Sequence, residues 1–276
     1  KHIDERGFIR VQNVGGFDAR TLVMQRVLVQ GKQDYVGLMC PVSKPLHLTT
    51  REEREKGHKL EDMFIDLMLP VEEVQANVSI GDPITLLREP HFSDRAVATH
   101  YLDDRVGVYV MLEALRQAQG TQVEIQAVVS VQEEVGLRGA MTGAFGVEPD
   151  IGIAIDVTVA GDLPGAERSE WVSPLGEGAA ISIMDADSIS DARLIARFRE
   201  LATQHDIKHQ LEVRGSGGTD AGAMQLSRSG APVITVSIPI RYIHSVNEMA
   251  LISDIEATVS LMARFLETAH EVQLEW

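Results

Sequence analysis

Val128-Val129-Ser130-Val131-Gln132-Glu133-Glu134-Val135-Gly136 reads as the end of a buried strand, residues 123–131, closed by two acids and a glycine. A short β-branched run with a Gly stop is the composition of a strand covered on both faces. Before it, residues 106–119 place Val108, Met111, Leu112 and Leu115 at the spacing of one helical face. After it, residues 151–155 and 179–184 read as strands, 191–205 as a helix and 210–213 as a strand. The Gly-rich Gly215-Ser216-Gly217-Gly218-Thr219-Asp220 then opens a helix through Ser227, followed by a strand at 233–238 and a last helix from Asp254 to His270. Strands alternating with amphipathic helices predict a layered α/β domain over 93–276, a sheet with helices on both faces. In such sheets, sites gather at the carboxyl ends of strands.

Residues 7–92 have another texture. Phe8-Ile9-Arg10-Val11-Gln12, Arg26-Val27-Leu28-Val29, Tyr35-Val36-Gly37-Leu38-Met39, Phe64-Ile65-Asp66-Leu67 and Ile84-Thr85-Leu86-Leu87 are short β-branched runs between turn signals. They predict an inserted small β-barrel or sandwich, with a charged helix or loop over 49–60. Residues 1–6 are then a remnant of the α/β domain's N-terminal part.

The whole composition narrows the function. At 276 residues and 44% hydrophobic, the chain can bury a large core. A net charge of −16 without clustered Lys or Arg excludes nucleic acid as a partner. No run approaches the ~18 apolar residues of a membrane span, so no membrane partner is expected. A single cysteine, Cys40, forms no internal disulfide, and a reducing, cytoplasmic setting follows. The chain opens on Lys1 rather than Met and reads as a fragment.

Acids and a histidine fall at strand-to-loop junctions: Asp103 and Asp104 before a helix, Glu133 and Glu134 at a strand end, Asp156 after residues 151–155, and His244 in Pro239-Ile240-Arg241-Tyr242-Ile243-His244-Ser245. Each has an ordinary alternative. Asp103 or Asp104 reads equally as a helix cap, Asp156 as a loop acid and His244 as a structural histidine. Together, carboxylates plus imidazole form the donor set for zinc, cobalt or manganese in hydrolases. A shared carboxylate would suit two metals ~3.5–4 Å apart, and the alternation of a strand would send Glu134 to a metal and Glu133 to a water.

The chain resembles, over nearly its whole length, the tetrahedral dodecameric metalloaminopeptidases, a family that includes glutamyl and deblocking aminopeptidases and cellulase-M-like proteins. The resemblance is carried by Val14-Gly15-Gly16-Phe17-Asp18, Lys44-Pro45-Leu46-His47-Leu48, Leu102-Asp103-Asp104-Arg105, Gln132-Glu133-Glu134-Val135-Gly136, Asp156 with Ala160-Gly161-Asp162, Gly217-Gly218-Thr219-Asp220-Ala221, and Arg241-Tyr242-Ile243-His244-Ser245. It implies a phosphorylase/hydrolase-like sheet plus a small β-barrel domain for assembly, and dimers built into a dodecamer that acts on peptides. By the same resemblance two divalent ions are held by Asp103 as bridge, Asp156 on one metal, and Glu134 with His244 on the other. Glu133 becomes the general base. Asp104 and Arg105 are expected as supporting partners and Asp220 as a buried orienting acid or a turn residue. Arg241 reads as an anchor for a substrate carboxylate, a subunit contact or a structural ion pair.

The family's remaining ligand is a His in a His-x-Asp turn. His2-Ile3-Asp4-Glu5-Arg6-Gly7-Phe8 has that form but stands too near Gly15-Gly16, where a second segment of like sequence belongs. The register therefore makes His2 a decoy and puts the true ligand upstream of Lys1. Rival readings are another di-metal amidohydrolase, such as a deacylase or carboxypeptidase, and a catalytically impaired assembly subunit. A glycan hydrolase would want an aromatic-rich groove, and aromatic residues are 5% of the chain.

Overall fold

A computed structural model describes residues 1–44, 46–55 and 57–274. Pro45, Lys56, Glu275 and Trp276 lie outside the described residues, so the Lys44-to-Leu48 stretch and the insert 49–60 are described only in part. The chain divides into two compact units, Lys1–Pro90 with His244–Val246, and His91–Ile243 with Asn247–Trp276.

The first unit is β-rich. Strands β1 (His2–Ile3), β2 (Ile9–Arg10), β3 (Gln25–Gln30), β4 (Asp34–Pro41), β5 (Met63–Asp66) and β6 (Ile84–Leu86) form an antiparallel sheet in the order β1-β2-β5-β4-β3-β6. Alternation decides its buried face: Val27, Val29, Met63 and Ile65 are all but sealed, while Arg26 and Gln30 face outward. Among its described residues the unit also holds two short α-helices, α1 (Arg51–Glu55) within the charged insert and α2 (Val71–Asn77), and three 3-10 turns. No strand pair joins β6 to β1 among the described residues, so the expected barrel is not closed here.

The second unit is a mixed α/β layer. Its sheet runs β11 (His209–Val213), β10 (Ala179–Met184), β12 (Val233–Arg241), β13 (Glu248–Leu251), β8 (Ala96–Thr99), β7 (His91–Phe92), and β9 (Gly152–Val159) pairs with β12 in parallel. The helices are α3 (Leu102–Gln117), α4 (Arg138–Val147), α5 (Ala192–Gln204), α6 (Asp220–Gln225) and α7 (Ile252–Thr268). Period two sorts β12 into two faces. Ile234, Val236, Ile238 and Ile240 join the main core with Val106 and Val110 of α3, Leu194 and Phe198 of α5, and Val259 and Phe265 of α7. Phe198 stacks on Phe265 with centroids 4.4 Å apart. On the other face Thr235 meets Thr219, the residue before α6, at 2.8 Å between hydroxyls, and Ser237 lies opposite Asp156. One face of the sheet is therefore the main apolar core, and the other carries buried hydroxyls beside a smaller apolar cluster of Ala154, Ala221 and Val233.

Several expectations need correction. Residues 123–131 make no strand ladder, and Val128, Val129 and Val131 are 49%, 59% and 66% exposed. β-branched composition suits a strand but does not supply the neighbour that a ladder requires. Asp156 lies inside β9 rather than after it, because that strand continues to Val159 alongside β12. The buried stripe of α3 is Leu102, Val106, Val110 and Ala114, an i, i+4 row, whereas Leu112 is 57% exposed. Strand β13, just beyond His244, has no strand signal in the sequence, since Glu248-Met249-Ala250-Leu251 lacks β-branched residues.

Candidate functional site

Asp103 and Asp104 sit where the chain enters α3. Both are non-helical (φ −74°, ψ 109° and φ −116°, ψ 51°) and joined by a cis peptide, so regular helix starts at Arg105. Asp104 Oδ1 accepts from the Gly107 amide at 3.0 Å, the bond an N-cap makes to its third helical residue. A Cβ on Gly107 would fall 2.2 Å from Asp104 Oδ2, so the cap leaves room only for glycine. Of the two acids it is Asp104 that caps the helix.

Glu133 and Glu134 occupy a 3-10 turn, Glu133–Val135, entered through Gln132 with φ 60°. Strand alternation therefore does not govern this pair, since a 3-10 turn advances at about three residues per revolution. His244 is held in the left-handed region at φ 57°. Its carbonyl accepts from the Asp18 amide at 3.0 Å, and a Cβ on Gly16 would lie 2.8 Å from its Nδ1. The Val14-Gly15-Gly16-Phe17-Asp18 stretch thus seats the imidazole: position 16 has no space for a side chain, and Asp18 fixes the backbone.

Ligand atoms of Asp103, Glu134 and His244 all lie within 4.8 Å of one another. Asp156 is outside that group, its Oδ1 accepting from the Val157 amide at 2.7 Å. Its surroundings still bind it to the same acids. Burial first, then the charges of Asp104, Asp103 and Glu133, push its carboxyl well above the usual range. Asp104 is raised likewise, by burial and then by Asp103, with Glu133 and Asp220 adding to the shift and the Gly107 amide opposing it. Carboxylates that penalise one another's ionisation beside an imidazole match the donor chemistry of divalent cations, whose charge would offset the repulsion.

The supporting residues divide. Asp220 begins α6 and accepts from the Ser130 hydroxyl; burial raises its carboxyl and that bond lowers it. Arg105 is exposed over the Tyr101 ring, its guanidinium carbon 5.2 Å from the centroid. His2 stands exposed on β1 opposite Arg10, outside the ligand group, and Asp4 spends Oδ1 on the Arg6 and Phe8 amides at 2.9 Å each. Sequence reasoning missed Glu248, which is 3% exposed and accepts from the Asp103 amide at 3.0 Å. Its signal was an acid sharing the inward face of β13 with the fully buried Ala250.

Arg241 resolves to an ion pair. Its Nε and Nη2 each donate to Asp162 at 2.7 Å, and Asp162 also accepts from the Leu175 amide at 3.2 Å. The Arg241 bonds hold Asp162 below the usual carboxylate range against burial. Arg241→Ala should therefore cost about 1.5–3 kcal/mol of unfolding free energy near pH 7. A depressed folded pKa contributes fully above the unfolded value of about 3.9 and is lost as pH falls through the folded one. Urea curves of parent and variant should separate at neutral pH and converge in acid, and an equal gap at both would refute the pairing.

The family model of the M42 glutamyl aminopeptidases matches residues 1–261. The lysyl aminopeptidase of Pyrococcus furiosus is 36% identical over 273 residues, covering 96% of this chain and 77% of its own length. An aminopeptidase from the archaeon Desulfurococcus kamchatkensis superposes with a TM-score of 0.90 at 38% identity, over 96% of this chain and 74% of that one. The TET1 peptidase of Pyrococcus horikoshii, which can assemble into a tetrahedron or a large octahedral shell, gives 0.80 at 29% identity, over 96% and 78%. No helix among the described residues is long and apolar enough to cross a membrane. With the match running through nearly all of the sequence, the chain belongs to the M42 glutamyl aminopeptidase family and is a peptide-hydrolysing enzyme, a metalloaminopeptidase.

Proposed function

We propose that this chain removes N-terminal residues from peptides at a di-metal centre with Glu133 as general base. The observation that carries the reading is the convergence of Asp103, Glu134 and His244 within 4.8 Å, with Glu133 on the same turn as Glu134. Asp103 would be shared between the two ions, Asp156 would complete one, and Glu134 with His244 would hold the other. Zinc or cobalt fits these donors best, and manganese is also compatible. When bound, the ions would polarise the scissile carbonyl and ease deprotonation of the attacking water.

The chain's own residues do the rest. Glu133 takes the proton from the attacking water and returns it to the departing amine, which requires a carboxylate that is near the ligands without being one. Gly16 and Asp18 hold His244 in place, and the Asp104 cap keeps the Asp103 turn at the head of α3. The β-rich stretch 7–92 serves as the assembly element of a homo-oligomer built from dimers to a dodecamer, and residues 93–276 as the catalytic domain. The protein works in the cytoplasm.

The test is hydrolysis of a peptide with a free N-terminus against its N-acetylated twin, before and after chelation. Turnover confined to the free amine, abolished by chelator and restored by cobalt or zinc, is expected. Preference for the acetylated peptide would make the protein a deacylase. Light scattering should give a mass far above one chain; a monomer would refute the assembly role.

A further inference from the structure

We propose that Glu248 is a positioning residue for the metal centre, acting through the backbone of Asp103. The inference rests on the reading above that Asp103 holds a cation. A carboxylate at 3% exposure on a sheet strand is expensive to bury unless its oxygens are used. Here Oε2 accepts from the amide of Asp103 at 3.0 Å. That amide lies ahead of the regular part of α3, in a residue with ψ 109°, so it needs an acceptor from elsewhere in the fold.

The location makes the bond more than local packing. Glu248 lies opposite Thr99 across the β13–β8 ladder, just upstream of the turn that carries Asp103. The turn is then pinned on both sides: Glu248 grips the Asp103 amide, and Asp104 grips the helix through Gly107. Rotation about the Asp103 backbone would swing its carboxylate away from Glu134 and His244. Through that bond Glu248 would fix the direction of a residue that would hold the ion, acting by way of the Asp103 backbone.

What positioning requires of Glu248 is an acceptor oxygen, and that separates it from a role in charge. Glu248→Gln keeps a carbonyl oxygen at the same reach, whereas Glu248→Met fills the volume without an acceptor. The metal-free parent and both variants are titrated with cobalt(II) alone, following heat and the visible absorption of the bound ion. Outer-shell partners are typically worth about 10–100-fold in metal affinity, so Glu248→Met should fall in that range with an altered spectrum, and Glu248→Gln should stay within about threefold of the parent.

Asp254 supplies the control for general destabilisation. It is also buried, at 1% exposure, and accepts from the Gly176 and Gly178 amides at 2.8 and 3.1 Å. Asp254→Ala should lower the melting temperature and leave cobalt affinity unchanged. Parent-like binding by Glu248→Met would overturn the inference, as would a loss in Glu248→Gln equal to that in Glu248→Met. Should Glu248→Met not fold, Glu248→Gln decides alone: near-parental affinity supports positioning, and a tenfold loss overturns it. A parent that binds no cobalt would instead bring down the metal-centre reading itself.

Discussion

Glu133→Gln should lower kcat by about 10²–10⁴ while leaving metal affinity and the unfolding transition close to those of the parent. The amide has the volume of the carboxylate and keeps a hydrogen-bonding oxygen, but it does not take up a proton at neutral pH. An interaction made only as the proton moves is lost from kcat and kcat/KM equally, so KM should hardly change. Glu134→Gln, one residue along the same turn, should behave differently and lose cation affinity first, because its oxygen lies in the group with Asp103 and His244. Steady-state kinetics on a chromogenic amide with a free amine, together with cobalt titration, separates the two. A Glu133→Gln enzyme retaining more than a tenth of parental kcat would remove Glu133 from the role of base.

Asp156→Asn should act with opposite sign on the metal-free and metal-loaded proteins. In the metal-free chain Asp156 faces Asp104, Asp103 and Glu133 in a largely buried setting, and their charges oppose its ionisation. A neutral amide relieves that repulsion, so the chelator-treated variant should melt higher than the parent, by roughly 2–4 °C for each kcal/mol relieved. With metal present the same change removes an anionic donor. Affinity should then fall by at least the roughly 10–100-fold typical of a lost supporting partner, and activity at limiting metal should fall with it. Calorimetric melts with and without cobalt provide the check. A lower metal-free melting temperature, or unchanged affinity, would mean that Asp156 serves the fold and not the ion.

Much of the second unit was legible because its elements are driven by period. Residues 179–184 and 209–213, the helix capped by Asp191 and the helix ending at Thr268 stand close to where hydrophobic spacing and capping chemistry put them. The stretch 123–131 had an equally good strand composition and makes no ladder, because a strand exists only by virtue of its neighbour's backbone. Asp156 stands out in the sequence although its strand runs on to Val159, because the acid interrupts an apolar run whichever way the run ends.

The sequence by itself determined the residue types and their order: acids at the mouth of α3, an acid pair before Gly136, a histidine in the turn after β12, and the alternation that makes an α/β layer. Tertiary structure alone decided which of those groups meet. It brought Asp103, Glu134 and His244 within 4.8 Å, gave the cap to Asp104, turned Arg241 onto Asp162 and set Glu248 under the Asp103 amide. Local propensity acts over a few residues through sterics and hydrogen bonding along the chain. Convergence across 145 residues, as from Asp103 to Glu248, depends on sheet register and core packing, which bring together residues that no local pattern connects.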